Sequence, residues 1–375
     1  MFSVHVDTSR AWHGAQNQTL LAVLGLRSQG HRTWLAANPQ GELKQHAREG
    51  LDVLPIDARS EMDFSSGWRL SRALRQLRPD IIHAHDPHAV AMSAMAISMA
   101  YPPPCPPIVA SRRVAFRIKR NAFSLWKYHQ VDLFLCASEV IRQHLIADGI
   151  PARLTMTVHD GIDVTHVDAA PPIDLGAEYW LPHGAPIVGT AGALVPHKGH
   201  RHFIAAAAQV LRKVPDARFV IVGEGDERPA LEAQIKHLKL EKHVILAGWR
   251  PDVLSFHKAF DLFALSSVTE GLGTALLDAM ACRRAVVATR TGGVDEAVEE
   301  HRTGLLVEPH DEAGLAAAIA QLLLDDQLRK RMGDAGRQRV EERFSVDRMI
   351  ARTLEAYEAV LTRPDRRKTI RIPET

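Results

Sequence analysis

The stretch FDLFALSSVTEGLGTALLDAMA, residues 260–281, decides the fold. An apolar run leads through a glycine-bearing turn into a helix, with one acid before the helix, Glu270, and one inside it, Asp278. Leu272, Ala275, Leu276, Ala279 and Met280 carry the spacing of a buried helix face. Glu270, Thr274 and Asp278 are each four apart and share a different face. Gly271 and Gly273 leave the first turn without side-chain bulk, so the main-chain N–H groups from Gly271 to Thr274 can approach an anion, and the helix dipole favours a phosphate there. The two carboxylates stand roughly 10 Å apart along the helix, about the reach from a sugar, past a diphosphate, to a ribose. The plainer alternative is an acid stabilising a helix N-terminus and a solvated Asp278.

The same alternation repeats outward in both directions. Strand-like runs upstream are FSVHV, RTWLAA, LDVLPI, DIIHAH, PIVAS and VDLFLCAS, and those of the second half are PIVGTAG, ARFVIVGEG, HVILAGW, FDLFALSS, RAVVATR and GLLVEP. Helical patterns such as QNQTLLAVLGLRSQ and WRLSRALRQL lie between them. Strands alternating with helices predict an α/β protein with doubly wound parallel sheets. Prolines 171, 172, 182 and 186 interrupt the periodicity and mark a linker between a first domain, 1–168, and a second, 183–344. Two Rossmann-like domains of this kind would face one another across a crevice lined by the loops that follow the strands.

Composition narrows the class. The 375 residues suit two domains, and 46% hydrophobic with 24% charged residues is an ordinary globular mixture. Lys and Arg total 46 against 44 acids, so no global charge calls for a polyanion, and no nucleic-acid module is visible. Cys105, Cys136 and Cys282 show neither metal nor redox spacing. The start, MFSVHVDTSRAWHG, does not read as a secretory leader, and HAVAMSAMAISMAYPP is too short to span a bilayer. A cytoplasmic protein is expected, with contact to the inner membrane face left open.

Four further loops carry candidate chemistry. TAGALVPHKGHRHF places Lys198 near a helix start as a phosphate counter-charge, although no Walker pattern is present. VIVGEGDERPAL lacks the third glycine of a dinucleotide fingerprint, which falls on Arg228 and weakens a nicotinamide-dependent oxidoreductase reading. DIIHAHDPHA brings His83, His85 and His88 to a strand end. No carboxylate-rich or cysteine partner motif supports a metal, so His85 reads as a ligand contact and His83 as structural. SRRVAFRIKRNAFSLWKYH holds Arg112, Arg113, Arg117, Lys119, Arg120 and Lys127 with no acid, which fits either an anionic acceptor or membrane or a solvated basic face.

These residues taken together resemble retaining glycosyltransferase family 4, whose fold is called GT-B. EGLGTALLD is similar to its E-x7-E motif, HAHDPH to its H-x-H segment, and HDGID to its N-G-[IV]-D. AWHGAQNQTLLAVLGLRSQGH looks like the family's first loop and helix, and GALVPHKG, IVGEG, LAGW and TGGVDEAV fall in the family's order. The resemblance covers nearly the whole chain. It implies metal-independent transfer of a sugar, with retention, from a nucleotide-sugar (UDP in the first instance) to a glycan, lipid-linked or small-molecule acceptor, with no cofactor. It also implies roles. Glu270 would hold the donor sugar and Asp278 the ribose. Lys198 and the amides of Gly271, Leu272, Gly273 and Thr274 would hold the diphosphate. His85 would line the reaction centre, Gly14 would let its loop approach the donor, and Trp249 and Arg250 would receive the base. The terminal helix, 345–361, would cross back to the first domain, its stripe being Met349, Ile350, Leu354, Tyr357 and Leu361. Three departures stand out: Asp278 is shorter than the usual glutamate, Ala193 replaces an arginine that meets the diphosphate, and Ala15 replaces a second glycine. Arg112 or Arg113 could stand in for the missing cation. The loss at Ala193 also keeps a non-catalytic nucleotide-sugar-binding protein as an alternative.

Overall fold

The apolar runs become strands. In the first half they are β1 (Phe2–Asp7), β2 (Arg32–Ala37), β3 (Asp52–Pro55), β4 (Ile81–Ala84), β5 (Ile108–Arg112) and β6 (Leu133–Cys136), joined by a short β7 (Thr155–Thr157). The second half contributes β8 (Ile187–Ala191), β9 (Arg218–Val222), β10 (Val244–Gly248), β11 (Leu262–Leu265), β12 (Ala285–Thr289) and β13 (Gly304–Val307). The computed structural model describes residues 1–47, 50–58, 60–100, 105–118 and 121–363. Lys119, Arg120 and the basic tail from residue 364 lie outside the described residues.

Both sheets are parallel throughout. The first has the order β3-β2-β1-β4-β5-β6-β7, the second β10-β9-β8-β11-β12-β13. Such strands are covered by helices on both faces, which is why they read as continuous apolar runs instead of alternating ones. Val4, Val6, Ile82, Val109, Val188, Phe219, Phe263 and Val287 are fully buried. In each sheet the strand order reverses once, between β1 and β4 and between β8 and β11. The loops at the carboxyl ends of those two pairs diverge to opposite faces and leave room for a ligand.

The chain divides into two compact units. One is Met1–Gly161 together with the chain from Val346 on, and the other is Ile162–Ser345. The proline-rich segment packs within the second unit: Leu175 is buried and Ile173 N–H donates to the Ser255 carbonyl. The terminal helix, Val346–Leu361, belongs to the first unit. Met349, Ile350, Tyr357 and Val360 pack with Ala22, Leu26, Val109 and Leu133, while Leu354 and Leu361 are partly buried. The first helix, Gly14–Ser28, approaches it closely, since a Cβ at Gly25 would lie 2.5 Å from Ile350 Cγ1.

One core side chain is poorly matched to its place. His257 is fully buried in the second unit, neither ring nitrogen has a hydrogen-bond partner among the described residues, and burial pushes its imidazole down to about 3. Its neighbours are the rings of Phe260 and Phe263. We expect His257→Leu to raise stability by about 1–2 kcal/mol at neutral pH, because the unsatisfied nitrogens are removed. The native histidine stays neutral when folded and protonates when unfolded, so wild-type stability should be constant above 6.5 and fall as pH drops from 6.5 toward 3. Denaturant titrations of both proteins across that range should show the gap widening in acid. A constant gap would locate the acid sensitivity elsewhere.

Candidate functional site

The second unit gathers its chemistry at the β8/β11 reversal. After β8 the chain turns through Gly192 to a single 3-10 turn, Pro196–Lys198, and Gly199 then opens the helix His200–Val210. Gly199 has φ +65°, and a Cβ there would sit 2.0 Å from the Ser266 carbonyl oxygen, so no other residue lets this loop lie on the end of β11. Ser266 Oγ donates to Gly199 O at 2.9 Å, and the amide of Val268 donates to His197 O at 2.8 Å. The two loops are thereby fastened to one another before any side-chain charge is considered.

That fastening brings Lys198 to Glu270. Lys198 Nζ lies 2.6 Å from Glu270 Oε1, and Ser267 Oγ donates to the same oxygen at 2.7 Å. The Glu270 side chain is only 7% exposed, and Oε2 has no partner among the described residues. A buried carboxylate needs such pairing to remain charged. Behind it, the turn Thr291–Gly293 buttresses the main chain. Gly292 has φ +57°, a Cβ on it would reach within 1.9 Å of Glu270 O, and Gly293 N–H donates to Gly271 O at 2.8 Å.

The helix Thr274–Ala281 then begins, with Gly273 in the left-handed region as its N-cap. The side chains of Leu272 and Leu276 enter the core, leaving the first-turn amides of Gly271, Leu272, Gly273 and Thr274 without an acceptor among the described residues. Asp278, one turn into the helix, is half-buried and has no hydrogen-bond or ion-pair partner among the described residues; burial pushes its carboxyl up to about 7.

At the carboxyl end of β10, Trp249 is 55% exposed. Arg250, expected to receive a base, is already committed: it binds both Asp252 oxygens at 2.9 Å, pairs with Glu178 and lies over the Phe256 ring. These bonds, Asp252 first, hold its guanidinium above the usual range. That leaves the Trp249 ring as the open feature of the loop. Ala193 offers its carbonyl to His200 Nε2 at 3.2 Å.

The first unit has its own cluster at the β1/β4 reversal, where His5 pairs in register with His83. Arg113 donates to His85 Nδ1 at 3.3 Å while its Nε donates to Asp160 at 2.8 Å. Arginine cannot accept, so His85 carries its proton on Nε2 and donates to His5 Nδ1 at 2.9 Å; His5 in turn donates from Nε2 to Ser3 Oγ at 3.0 Å. His83 is held between Tyr357 OH and Ser111 Oγ, at 2.7 and 2.8 Å. Burial, reinforced by the neighbouring Arg113, keeps all three rings neutral, His5 at about 3. Their nitrogens lie within 4.8 Å of one another, a spacing that could suit a cation. Every ring nitrogen is engaged, however, so the arrangement is a polarised hydrogen-bond chain. The His85 ring was expected to line the reaction centre. It is 5% exposed, and its nitrogens can reach a ligand only by exchanging a bond already made. Gly14 begins the first helix and is exposed, its loop held by Asp7, which accepts from Ser9 N–H and Thr19 Oγ1.

The described cations of the basic segment 112–127 do not form a free cationic face. Arg112 is buried and donates to the Phe116 carbonyl, Arg113 and Arg117 pair with Asp160 and Asp148, and the buried Lys127 pairs with Glu61 at 2.8 Å. Arg112 and Arg113 are thus also spoken for as substitutes for the arginine missing at 193. No helix among the described residues is long and apolar enough to cross a membrane.

The profile of the Glycosyl transferases group 1 family matches residues 177–339, and that of Glycosyltransferase Family 4 matches 12–166. N-acetyl-alpha-D-glucosaminyl L-malate synthase of Bacillus anthracis is 27% identical over 323 residues, 80% of each chain. Alpha-maltose-1-phosphate synthase of Mycolicibacterium smegmatis is 34% identical over 239 residues, 59% of this chain and 60% of that one. Among solved structures, HepE of Anabaena in complex with UDP and glucose superposes with a TM-score of 0.83 at 22% identity, covering 96% of this chain and all of that one. The fold is therefore GT-B. The chain belongs to the family 4 type of glycosyltransferases, which sets aside the oxidoreductase reading.

Asp278→Asn tests the most exposed consequence of this site. The folded carboxyl titrates at about 7 against 3.8 unfolded, so between those values the folded state holds the extra proton. Wild-type stability should therefore fall as pH rises through that window and level off above it, whereas the asparagine variant should lack this slope. Melting curves that stay parallel from acid to neutral pH would contradict the assignment.

Proposed function

We propose that this glycosyltransferase is a retaining enzyme that takes its sugar from a UDP-sugar. The observation that carries the reading is the Lys198–Glu270 pair, seated beside unbonded amides at the β8/β11 reversal. Without donor, Lys198 neutralises Glu270. A diphosphate, with its greater negative charge, would draw Lys198 and the turn amides to itself and leave Glu270 to accept hydroxyl hydrogens of the sugar. Asp278, unpartnered and one turn on, suits the ribose hydroxyls, and Trp249 suits the face of the base. UDP in the Anabaena neighbour supports the choice of nucleotide.

As the leaving group departs, charge grows on the diphosphate, where Lys198 and fixed amides stabilise it. With those groups supplying the charge, no divalent ion is required, and turnover should persist in EDTA. Gly14 and the His85–Arg113 pair are assigned to the donor side of the first unit. The acceptor is a glycan, lipid-linked or small-molecule hydroxyl. A cytoplasmic setting accords with a chain of three cysteines that show no disulfide framework in their spacing.

Calorimetry and donor turnover test the reading together. Lys198→Ala should weaken UDP by at least about tenfold, the loss of one charge-assisted contact of roughly 1.5–3 kcal/mol, while uridine binding is unchanged. Glu270→Gln should leave UDP affinity equal or tighter, since Lys198 is released, yet cut turnover about 100-fold or more by the loss of a contact to the reacting sugar. Failure of UDP, GDP and ADP to bind at millimolar concentration would sink the proposal. UDP binding with no donor turnover or hydrolysis would favour a non-catalytic nucleotide-sugar-binding protein.

A further inference from the structure

The helix Phe64–Leu77 has two faces that differ in kind. Leu70 and Leu74 are fully buried, and Gly67 lets the helix close on its neighbour, since a Cβ there would lie 3.1 Å from Met95 Cβ. On the other side Phe64 is 57% and Trp68 48% exposed, one turn apart, and Met62 just before the helix is 56% exposed. Arg69, Arg72 and Arg75 are exposed on the same side. At about 100° per residue, Phe64, Arg75, Trp68, Arg72 and Arg69 occupy an arc of about 140° directly opposite the two leucines.

Charge singles this arc out. None of its three arginines is in an ion pair or hydrogen bond among the described residues, in contrast to the segment 112–127, whose described cations are all engaged. The nearby acids are occupied: Glu61 pairs with Lys127, and Asp63 caps the helix by accepting from Ser66 N–H. Between Phe64 and Pro79 the sequence has no acid. Large aromatics left in water beside unpaired arginines are costly unless something covers them, and a face that joins aromatics to an excess of positive charge suits an anionic lipid surface. Trp and Phe settle at the level of lipid headgroups, and arginine meets their phosphates.

We propose that the exposed face of the helix Phe64–Leu77 docks on an anionic lipid bilayer, with Phe64 and Trp68 entering the interface and Arg69, Arg72 and Arg75 meeting the headgroups. The proposal stands apart from the donor chemistry and is read without any nucleotide.

The test is flotation of the purified full chain with vesicles of phosphatidylcholine alone or mixed with phosphatidylglycerol, at low and high salt. The wild type should float with the anionic vesicles and bind neutral ones at least about tenfold more weakly, salt narrowing the difference. Arg69→Gln/Arg72→Gln/Arg75→Gln should lose the preference for anionic lipid. Phe64→Ser/Trp68→Ser should retain it at low salt but be released fully at high salt. Circular dichroism and thermal melting, expected to match the wild type, verify folding, and Trp68→Phe should bind normally with a smaller vesicle-induced blue shift of fluorescence. Indifference of the wild type to phosphatidylglycerol, or normal flotation of both multiple variants, would overturn the proposal. So would light scattering that detects a dimer dispersed by Phe64→Ser/Trp68→Ser, which would assign the face to a second copy of the chain.

Discussion

Every candidate residue in this protein depends on one topological constraint, the reversal of strand order in an all-parallel sheet. Parallel strands need crossovers, and the right-handed crossover sends successive helices to one face until the order reverses. At β1/β4 and β8/β11 the chain leaves two adjacent strands toward opposite faces. Main-chain groups and short loops then remain uncovered at their carboxyl ends. Lys198 and Glu270 occupy one such position, and His5 with His85 the other. Neither set is close in sequence. The sheet order brings each set together, and the glycines at 199 and 292 allow loops to lie against carbonyl oxygens where a Cβ would collide.

Charge in the second unit follows from what each carboxylate of the Glu270–Asp278 motif finds beside it. The Lys198–Glu270 pair is partly buried, and taking two charges out of water is favourable only when their geometry and hydrogen bonds are good. Ser267 supplies the additional bond. Asp278 has no such partner and is pushed toward neutrality instead. The two acids of one motif thus rest in opposite states: one is compensated, and the other, without a partner among the described residues, is pushed toward neutrality.

Much of the architecture was legible in the sequence because buried parallel strands are short apolar runs punctuated by glycine and polar turns. β7 escaped notice for the same reason: Thr-Met-Thr at a sheet edge has no apolar run. Glu270, Lys198 and the glycine turn could be placed from spacing and resemblance. Their supports could not. Gly292 reaches Glu270 from another loop, and Tyr357 reaches His83 from the far end of the chain. The inward turn of the His85 ring follows from Ser3, His5 and Arg113 jointly, a network with no local signature.

Charge was the least legible property, and the reason is general. A run of cations without acids reads as a free basic face when only neighbours in sequence are considered. Arg113, Arg117 and Lys127 are instead met within the first unit by Asp160, Asp148 and Glu61, two of which, Glu61 and Asp160, come from distant segments. Lys127 could not be buried otherwise, because an ammonium without a partner would lose too much hydration. Arg250 follows the same rule through Glu178 and Asp252. The helix Phe64–Leu77 inverts it: its arginines stand apart on a face whose own N-cap acid is turned into the helix terminus. What separates the cations of this helix from those of residues 112–127 is whether the fold has brought them an acid, and that depends on strand order and packing before it depends on composition.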